Sequence, residues 1–186
     1  VLMQHGLLTF ADDAGASYER HVSIVSACER MIEQRCGARV SLSIAPSDSA
    51  ANANRRALQI APILRGLLSL RTGDEDRPHR HCVLEWRGGG ELLAILRDPQ
   101  LREFAVTGPL TGDHPLRTKP WPMIAEVSTG DDEAALRGKI EAAIAAFQQT
   151  YGAYVREQGG GVDGGDDLPT IVLVPDAGLF ARGMTL

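Results

Sequence analysis

The chain has 186 residues, of which 44% are hydrophobic and 23% are charged, as in ordinary globular proteins. This composition excludes disorder throughout the chain, and no apolar run reaches the roughly 18 residues of a transmembrane helix. The net charge of −5 arises in residues 131–186, which hold 9 acidic and 4 basic residues. Residues 1–130 hold 15 of each. Without a basic patch, the sequence argues against binding to nucleic acid.

The three cysteines are Cys28, Cys36 and Cys82. Their odd number and their spacing predict neither a disulfide framework nor a thiolate metal site. A reducing, cytoplasmic compartment is therefore expected.

Both ends of the chain carry strand signals. Residues 1–10 predict a strand that begins without a lead-in, and Ile171–Val174 has the apolar pattern of a strand buried on both faces. We therefore expect the chain to be a piece of a longer protein, cut at both ends.

The first part of the chain predicts two helices. Apolar residues at helical spacing predict a helix over 17–36, and residues 38–50 predict a loop. A second helix is predicted over 51–70, with a kink or break at Pro62. The polar segment 72–79 is interpreted as a linker and as the main domain boundary.

The second part alternates between strands and helices. The sequence predicts strands over 82–86, 123–127 and 171–174. It also predicts one or two short helices over 91–104 that break near Pro99, and a long helix capped by Asp131 and Asp132. A Pro/Gly loop is predicted over 107–122 and a flexible glycine loop over 159–165. This order indicates an α/β fold with a small parallel βαβαβ unit.

Histidines supply two candidate metal sites. His5, at the end of an apolar strand, could offer a ring nitrogen to a metal, although a lone histidine is more often structural. His79 and His81 would lie on one side of a strand and could share a metal. Arg77 and Arg80 beside them oppose cation binding, so a solvated linker is the alternative.

The loop over 111–119 is the third candidate. Arg117 and Lys119 could bind a phosphate or carboxylate, Asp113 and His114 could act as acid and base, and Thr118 adds a hydroxyl group. The alternative is an interdomain loop held by an ion pair between Asp113 and Arg117. Of these two uses, binding and structural, we favour the structural one.

These segments together resemble one family. Residues 1–10 and 17–21 resemble the C-terminal part of the class II aldolase/adducin domain. The central loop and residues 172–180 resemble bifunctional proteins in which that domain precedes a short-chain dehydrogenase, of the rhamnulose-1-phosphate aldolase/lactaldehyde dehydrogenase type. In that family a glycine usually stands where this chain has Asp176.

The resemblance implies two domains and a ligand. Residues 1–72 would be the C-terminal part of the aldolase domain, and 80–186 would be an α/β connector unit leading to the dehydrogenase. His5 would be a zinc ligand, because the family's His-Gly motif supplies one. The family's other zinc ligands, its glutamate base and the NAD(P) site of its dehydrogenase do not appear in this sequence. His79 and His81 follow the motif, whereas the family's His-x-His pair precedes it, so neither replaces that pair.

The resemblance also implies a function. The whole protein would be a zinc-dependent aldolase for a ketose 1-phosphate in sugar catabolism, homo-oligomeric and fused to an NAD(P)-dependent dehydrogenase, with no membrane or nucleic-acid partner. Residues 1–186 alone are expected to be inactive. The alternative is a non-catalytic adducin-like module that serves assembly or binds an anionic metabolite.

Overall fold

The computed structural model describes residues 6–36, 47–109, 111–159 and 166–184. Two long helices come first, α1 (Ala14–Cys36) and α2 (Ser47–Leu67). No helix in these ranges is both long enough and apolar enough to cross a membrane.

The rest of the described chain alternates between short strands and helices. Their bounds are β1 (Leu70–Arg71), β2 (His79–Arg80), β3 (Val83–Arg87), α3 (Gly90–Leu96), α4 (Leu101–Ala105), α5 (Asp113–Thr118), β4 (Met123–Ile124), α6 (Glu133–Glu157), β5 (Ile171–Val174) and β6 (Gly178–Gly183).

Four strands form a mixed sheet in the order β3-β6-β5-β4. Strands β4 and β5 are parallel, whereas β6 is antiparallel to both β3 and β5. The prediction of an α/β fold is confirmed, whereas the predicted small parallel βαβαβ unit is not confirmed. The physical reason is β6, because the tight turn after β5 returns the chain beside it and so requires antiparallel pairing.

Helices cover both faces of this sheet. Alternate residues of β5 point to opposite faces, as the period of a strand requires. Val172 and Val174 join the large core with α2 and α6, while Leu173 packs with Leu96 and Leu101 of the α3–α4 side. The sheet is therefore the middle layer of three.

Helix α2 runs unbroken through Pro62. Of the predicted kink or break, the break is therefore wrong, and the kink stays a prediction. The residues on both sides explain the unbroken helix: Ile60 and Leu64 are fully buried in the large core. Burial of both halves of the helix against one surface offsets the backbone hydrogen bond that a proline removes.

Segment 72–79, interpreted from the sequence as a linker, connects the antiparallel strands β1 and β2. Core residues lie on both sides of it, because Leu64 and Leu68 share a cluster with Ile140 and Phe180. The assignment of 1–72 and 80–186 to separate domains stays a prediction.

The strand predicted over 1–10 falls partly outside the part of the chain that the structure describes. Residues 1–5 lie outside the described residues, and residues 7–10 form no strand. Instead, the Thr9 hydroxyl donates to the backbone carbonyl of Ser17 and lies 3.3 Å from Nδ1 of His21. Residues 7–10 therefore fold back along α1.

Local signals are confirmed elsewhere. Two helices separated around Pro99 are present, and α6 begins where Asp132 accepts a hydrogen bond from the backbone N–H of Ala135 at 2.8 Å. Of the predicted glycine loop, residues 160–165 lie outside the described residues.

Gly178 is required by the close approach of two strands. Its φ is 123°, and a Cβ there would lie 2.3 Å from the carbonyl oxygen of Arg87. Gly138 of α6 is the opposite case, because a Cβ there would meet no atom within 4 Å.

We expect Gly178→Ala to destabilise the fold by about 1–3 kcal/mol, through backbone strain and the clash with β3. Gly138→Ala is the matched control and should stabilise it by about 0.5–1 kcal/mol, because a helix-interior glycine loses more backbone entropy on folding. Urea unfolding of both variants measures the two signs. A Gly178→Ala variant as stable as the wild type would contradict this account of the turn.

Candidate functional site

The predicted loop over 111–119 contains helix α5 (Asp113–Thr118) instead of irregular chain. Thr118 donates its hydroxyl to the backbone carbonyl of His114 at 3.0 Å, and Thr111 Oγ1 lies 3.3 Å from Nδ1 of His114. Two polar side chains of the candidate site, those of His114 and Thr118, therefore bond within the loop itself. His114 and Thr118 also line a cleft of about 430 Å³ beside α4.

Arg117 does not take the predicted position. The side chain is exposed, and within the described residues it forms neither an ion pair nor a hydrogen bond. The expected pair with Asp113 is therefore absent from this part of the chain. Positions 113 and 117 are one turn apart on α5 and both side chains are exposed, so helix geometry alone does not bring the two charges into contact.

Lys119 is the residue of the candidate site that makes long-range contacts. It ends α5 with a φ of 66°, in the left-handed region. Its Nζ donates to the backbone carbonyls of Asp166 and Leu168 and lies 4.4 Å from the ring centroid of Tyr151. The ammonium is thus held by two carbonyl dipoles and an aromatic face.

The surroundings of Lys119 are half-buried and aromatic. Trp121 meets Tyr154 edge-on at 5.3 Å, and Tyr151 stacks on Phe147 at 5.9 Å. Burial lowers the pKa of Lys119, while the carboxylate of Asp166 opposes that shift. Burial raises the pKa of Tyr151. Lys119 therefore links the α5–β4 connection to the segment before β5.

Arg182 lies at the centre of a second polar cluster that the sequence did not indicate. Its side chain is 3% exposed. Nε donates to the carbonyl of Leu68 at 3.0 Å, and Nη1 donates to Asp166 Oδ2 at 2.5 Å. Asp166 thus connects Arg182 to Lys119. The sequence offers one signal for Arg182, its position two residues after the buried Phe180 on one strand.

A third cluster fixes the start of α6. The side chain of Arg56 is 10% exposed and donates to the backbone carbonyls of Ser128 and Asp131. Lys139 donates to both carboxylate oxygens of Asp131 at 2.8 and 2.7 Å. The hydrogen bond from Lys139 and that from the backbone N–H of Ser128 hold the pKa of Asp131 below its usual value.

The carboxyl ends of the parallel strands β4 and β5 form the remaining candidate. In sheets with parallel strands, ligands often bind at this edge. Glu126 follows β4 and pairs with Arg102, and Asp176 follows β5 and pairs with Arg97 at 2.5 Å. A cleft of about 310 Å³ lies between the two ion pairs.

A larger cleft of about 650 Å³ adjoins this edge between β4 and α6. Its lining includes Trp121 and Phe147, and its charged side chains are Arg102, Glu126 and Lys139. All three of those charged side chains are paired, the first two with each other and Lys139 with Asp131. This cleft therefore has an apolar floor, and the charged side chains at its edge are neutralised in ion pairs.

No group of three or more histidine, cysteine, aspartate or glutamate side chains among the described residues is placed to hold a metal ion. His5 lies outside those residues. The rings of His79 and His81 stack at a centroid distance of 6.3 Å. Since this pair has no third ligand within the described ranges, no metal-assisted step follows from these residues.

We expect Lys119→Met to destabilise the fold by about 1–3 kcal/mol, because the methionine keeps the apolar stem but leaves two carbonyls without their charged donor. Arg117→Met is the matched control in the same loop and should change stability by less than about 0.5 kcal/mol. Thermal and urea unfolding of both variants provide the comparison. Equal losses of stability in the two variants would contradict the structural role assigned to Lys119.

Lys139→Met should raise the pKa of Asp131 towards its usual value, as followed by carboxyl-carbon NMR titration. A lowered carboxyl pKa stabilises the fold at pH values above the usual pKa, and this contribution is lost as the pH falls through the lowered one. The stability difference between wild type and variant should therefore shrink on acidification. Arg137→Met, at another exposed cation of α6, should leave the Asp131 titration unchanged.

Comparison with known proteins identifies the family. The chain is 23% identical, over 98% of its length, to a Bacillus subtilis (strain 168) protein described as "Uncharacterized oxidoreductase YuxG". It spans about a quarter of that relative, 26% of its length. No solved structure shows significant similarity to the chain. Residues 55–186 match the family model described as "Aldolase class II, second domain", and the chain therefore belongs to that family.

Proposed function

We propose that this chain contributes the non-catalytic second domain of a class II aldolase, and that it connects the catalytic part of that enzyme to a dehydrogenase. The family match over 55–186 is the observation that carries the proposal. The description of the B. subtilis relative as an oxidoreductase, and its greater length, support the dehydrogenase part.

The polar groups of the described residues support a connecting role. Lys119, Arg182 and Arg56 donate to backbone carbonyls of distant segments, which is what structural cations do. No group of three or more histidine, cysteine, aspartate or glutamate side chains in the described ranges is placed to hold a metal ion. Such a domain positions its neighbours and leaves bond cleavage to them.

The catalytic part would use zinc as a Lewis acid to cleave a ketose 1-phosphate. His5 is the residue of this chain that would take part, as the ligand of the family's His-Gly motif. The dehydrogenase would oxidise the aldehyde product with NAD(P). The whole protein would be a cytoplasmic homo-oligomer.

One observation favours a second candidate function, the binding of an anionic metabolite. The 650 Å³ cleft places Arg102 and Lys139 above an aromatic floor. An anion there would have to displace Glu126 or Asp131 from its pair, which costs free energy. We therefore rank this function below the connecting role.

The chain of residues 1–186 should show neither retro-aldol nor dehydrogenase activity, since ligands, base and nucleotide site are missing from it. The test compares this chain with the gene product that contains it, using ketose 1-phosphates with and without added zinc. Zinc-dependent cleavage by residues 1–186 alone would contradict the proposal.

In the longer gene product, His5→Ala should lower bound zinc and turnover together, and His114→Ala is the matched control that should leave the zinc content unchanged. Elemental analysis gives the zinc content independently of activity. An unchanged zinc content in His5→Ala would refute the ligand role.

A further inference from the structure

Residues 6–36 differ from the rest of the described chain in how they expose apolar side chains. Helix α1 has no buried residue among those whose exposure is described. Of the eleven exposed large hydrophobic residues in the described chain, seven lie between residues 8 and 32. They are Leu8, Phe10, Tyr18, Val22, Val25, Met31 and Ile32.

These side chains form a stripe and are not scattered around the helix. At 100° per residue, four of these side chains lie on one side of α1, and Glu29 falls among them. The four are Tyr18, Val22, Val25 and Ile32. Met31 widens the stripe to about half of the helix circumference. The opposite side is small or polar, with Ser23, Ala27, Arg30 and Gln34. An amphipathic helix of this kind normally buries such a face.

Within the described chain, little holds this helix in place. The contacts of residues 7–10 with α1 include hydrogen bonds donated by Thr9, Ser17 and Arg20. The side chains of Leu8 and Phe10 stay exposed. The large core instead contains α2, α6 and the sheet. Because most of the stability of a helix in a protein comes from packing of its amphipathic face, the stripe requires a partner surface.

We propose that α1 and residues 7–10 dock on the first domain of the class II aldolase to which this second domain is joined. The inference rests on the proposed function, because it takes such a first domain to exist. Its location supports it: α1 precedes residue 55, where the match to the second-domain family begins. The B. subtilis relative is long enough to contain a first domain as well, since the match covers 98% of this chain but only 26% of that protein.

The width of the stripe distinguishes this partner from a second copy of the chain. Two symmetric helices bury a narrow seam of a and d positions. A stripe that covers half of the helix, extended by Leu8 and Phe10, needs contact from two sides. The first domain should therefore offer a groove between two apolar elements.

Hydrogen exchange of α1 tests the docking. The joined protein, meaning the gene product that carries a first domain, is compared with residues 1–186 alone. Backbone amides of α1 should exchange at least tenfold more slowly in the joined protein. Exchange in α6 should be the same in both, because its core lies within this chain.

Two pairs of substitutions separate the apolar stripe from the polar side. Val22→Glu with Val25→Glu should return α1 exchange in the joined protein to the rate of the chain alone. Ala27→Glu with Gln34→Glu adds the same two carboxylates to the other side and should leave the protection intact. Light scattering of residues 1–186 reports self-association independently.

Each adverse result has a distinct meaning. Equal exchange of α1 in both proteins, or a gene product without a first domain, would overturn the docking. A dimer of residues 1–186 that dissociates in the Val22→Glu with Val25→Glu variant would also overturn the docking. That result would show that the stripe contacts a second copy of the chain. A joined protein that protects α1 but cleaves no ketose 1-phosphate contradicts only the proposed function. One that cleaves it without protecting α1 contradicts only the docking.

Discussion

The buried guanidinium of Arg182 is the constraint on which the C-terminal part of the fold depends. A charged group removed from water destabilises a protein strongly unless it is paired and hydrogen-bonded. Arg182 reaches the end of α2 through the carbonyl of Leu68 and the segment before β5 through Asp166. These segments must therefore assemble together. The strand supplies the geometry, because residues two positions apart on β6 point to the same face, and Arg182 therefore lies on the face of the buried Phe180.

Lys119 extends the same arrangement across a third connection. Its ammonium shares Asp166 with Arg182, one through the backbone carbonyl and the other through the carboxylate. Two cations near one aspartate repel each other, and Arg182 accordingly contributes to the lowered pKa of Lys119. Each cation also donates to a backbone carbonyl, Arg182 to that of Leu68 and Lys119 to that of Leu168. These carbonyl dipoles partly offset the repulsion between the two cations. The polar interior is thus satisfied by backbone as much as by side chains.

Features with a local physical cause could be predicted from the sequence. Asp132 caps α6, and the break between α3 and α4 lies near Pro99, since each depends on a few adjacent residues. Strand β5 is predictable from its apolar run. Strand β6 is not, because Gly178, Arg182 and Gly183 weaken its strand pattern, and its pairing arises from a turn at which Asp176 adopts a φ of 67°.

The candidate site shows the same limit. The sequence indicated the right residue in Lys119 but the wrong neighbours, since its acceptors lie 47 and 49 residues further along the chain. Nothing local distinguishes Lys119 from Arg117, two positions away, which remains exposed. Arg56 likewise meets its acceptors 72 and 75 residues away. The role of a cation in this fold is set by which carbonyls the tertiary structure brings to it.

The described chain falls into two parts that differ in how far their apolar side chains are buried and in how far their hydrogen bonds reach. From α2 onward, most of the large apolar side chains of the described residues enter the two core clusters, and the buried cations are matched to acceptors. In residues 6–36, the described hydrogen bonds are local and the large apolar side chains named above face outward. A stable core beside an uncovered amphipathic helix is what results when one unit carries its own stability and its neighbour belongs to a different packing surface. The second domain would then hold α1 at a defined place in the chain, while the energy that orders α1 comes from the surface on which it docks.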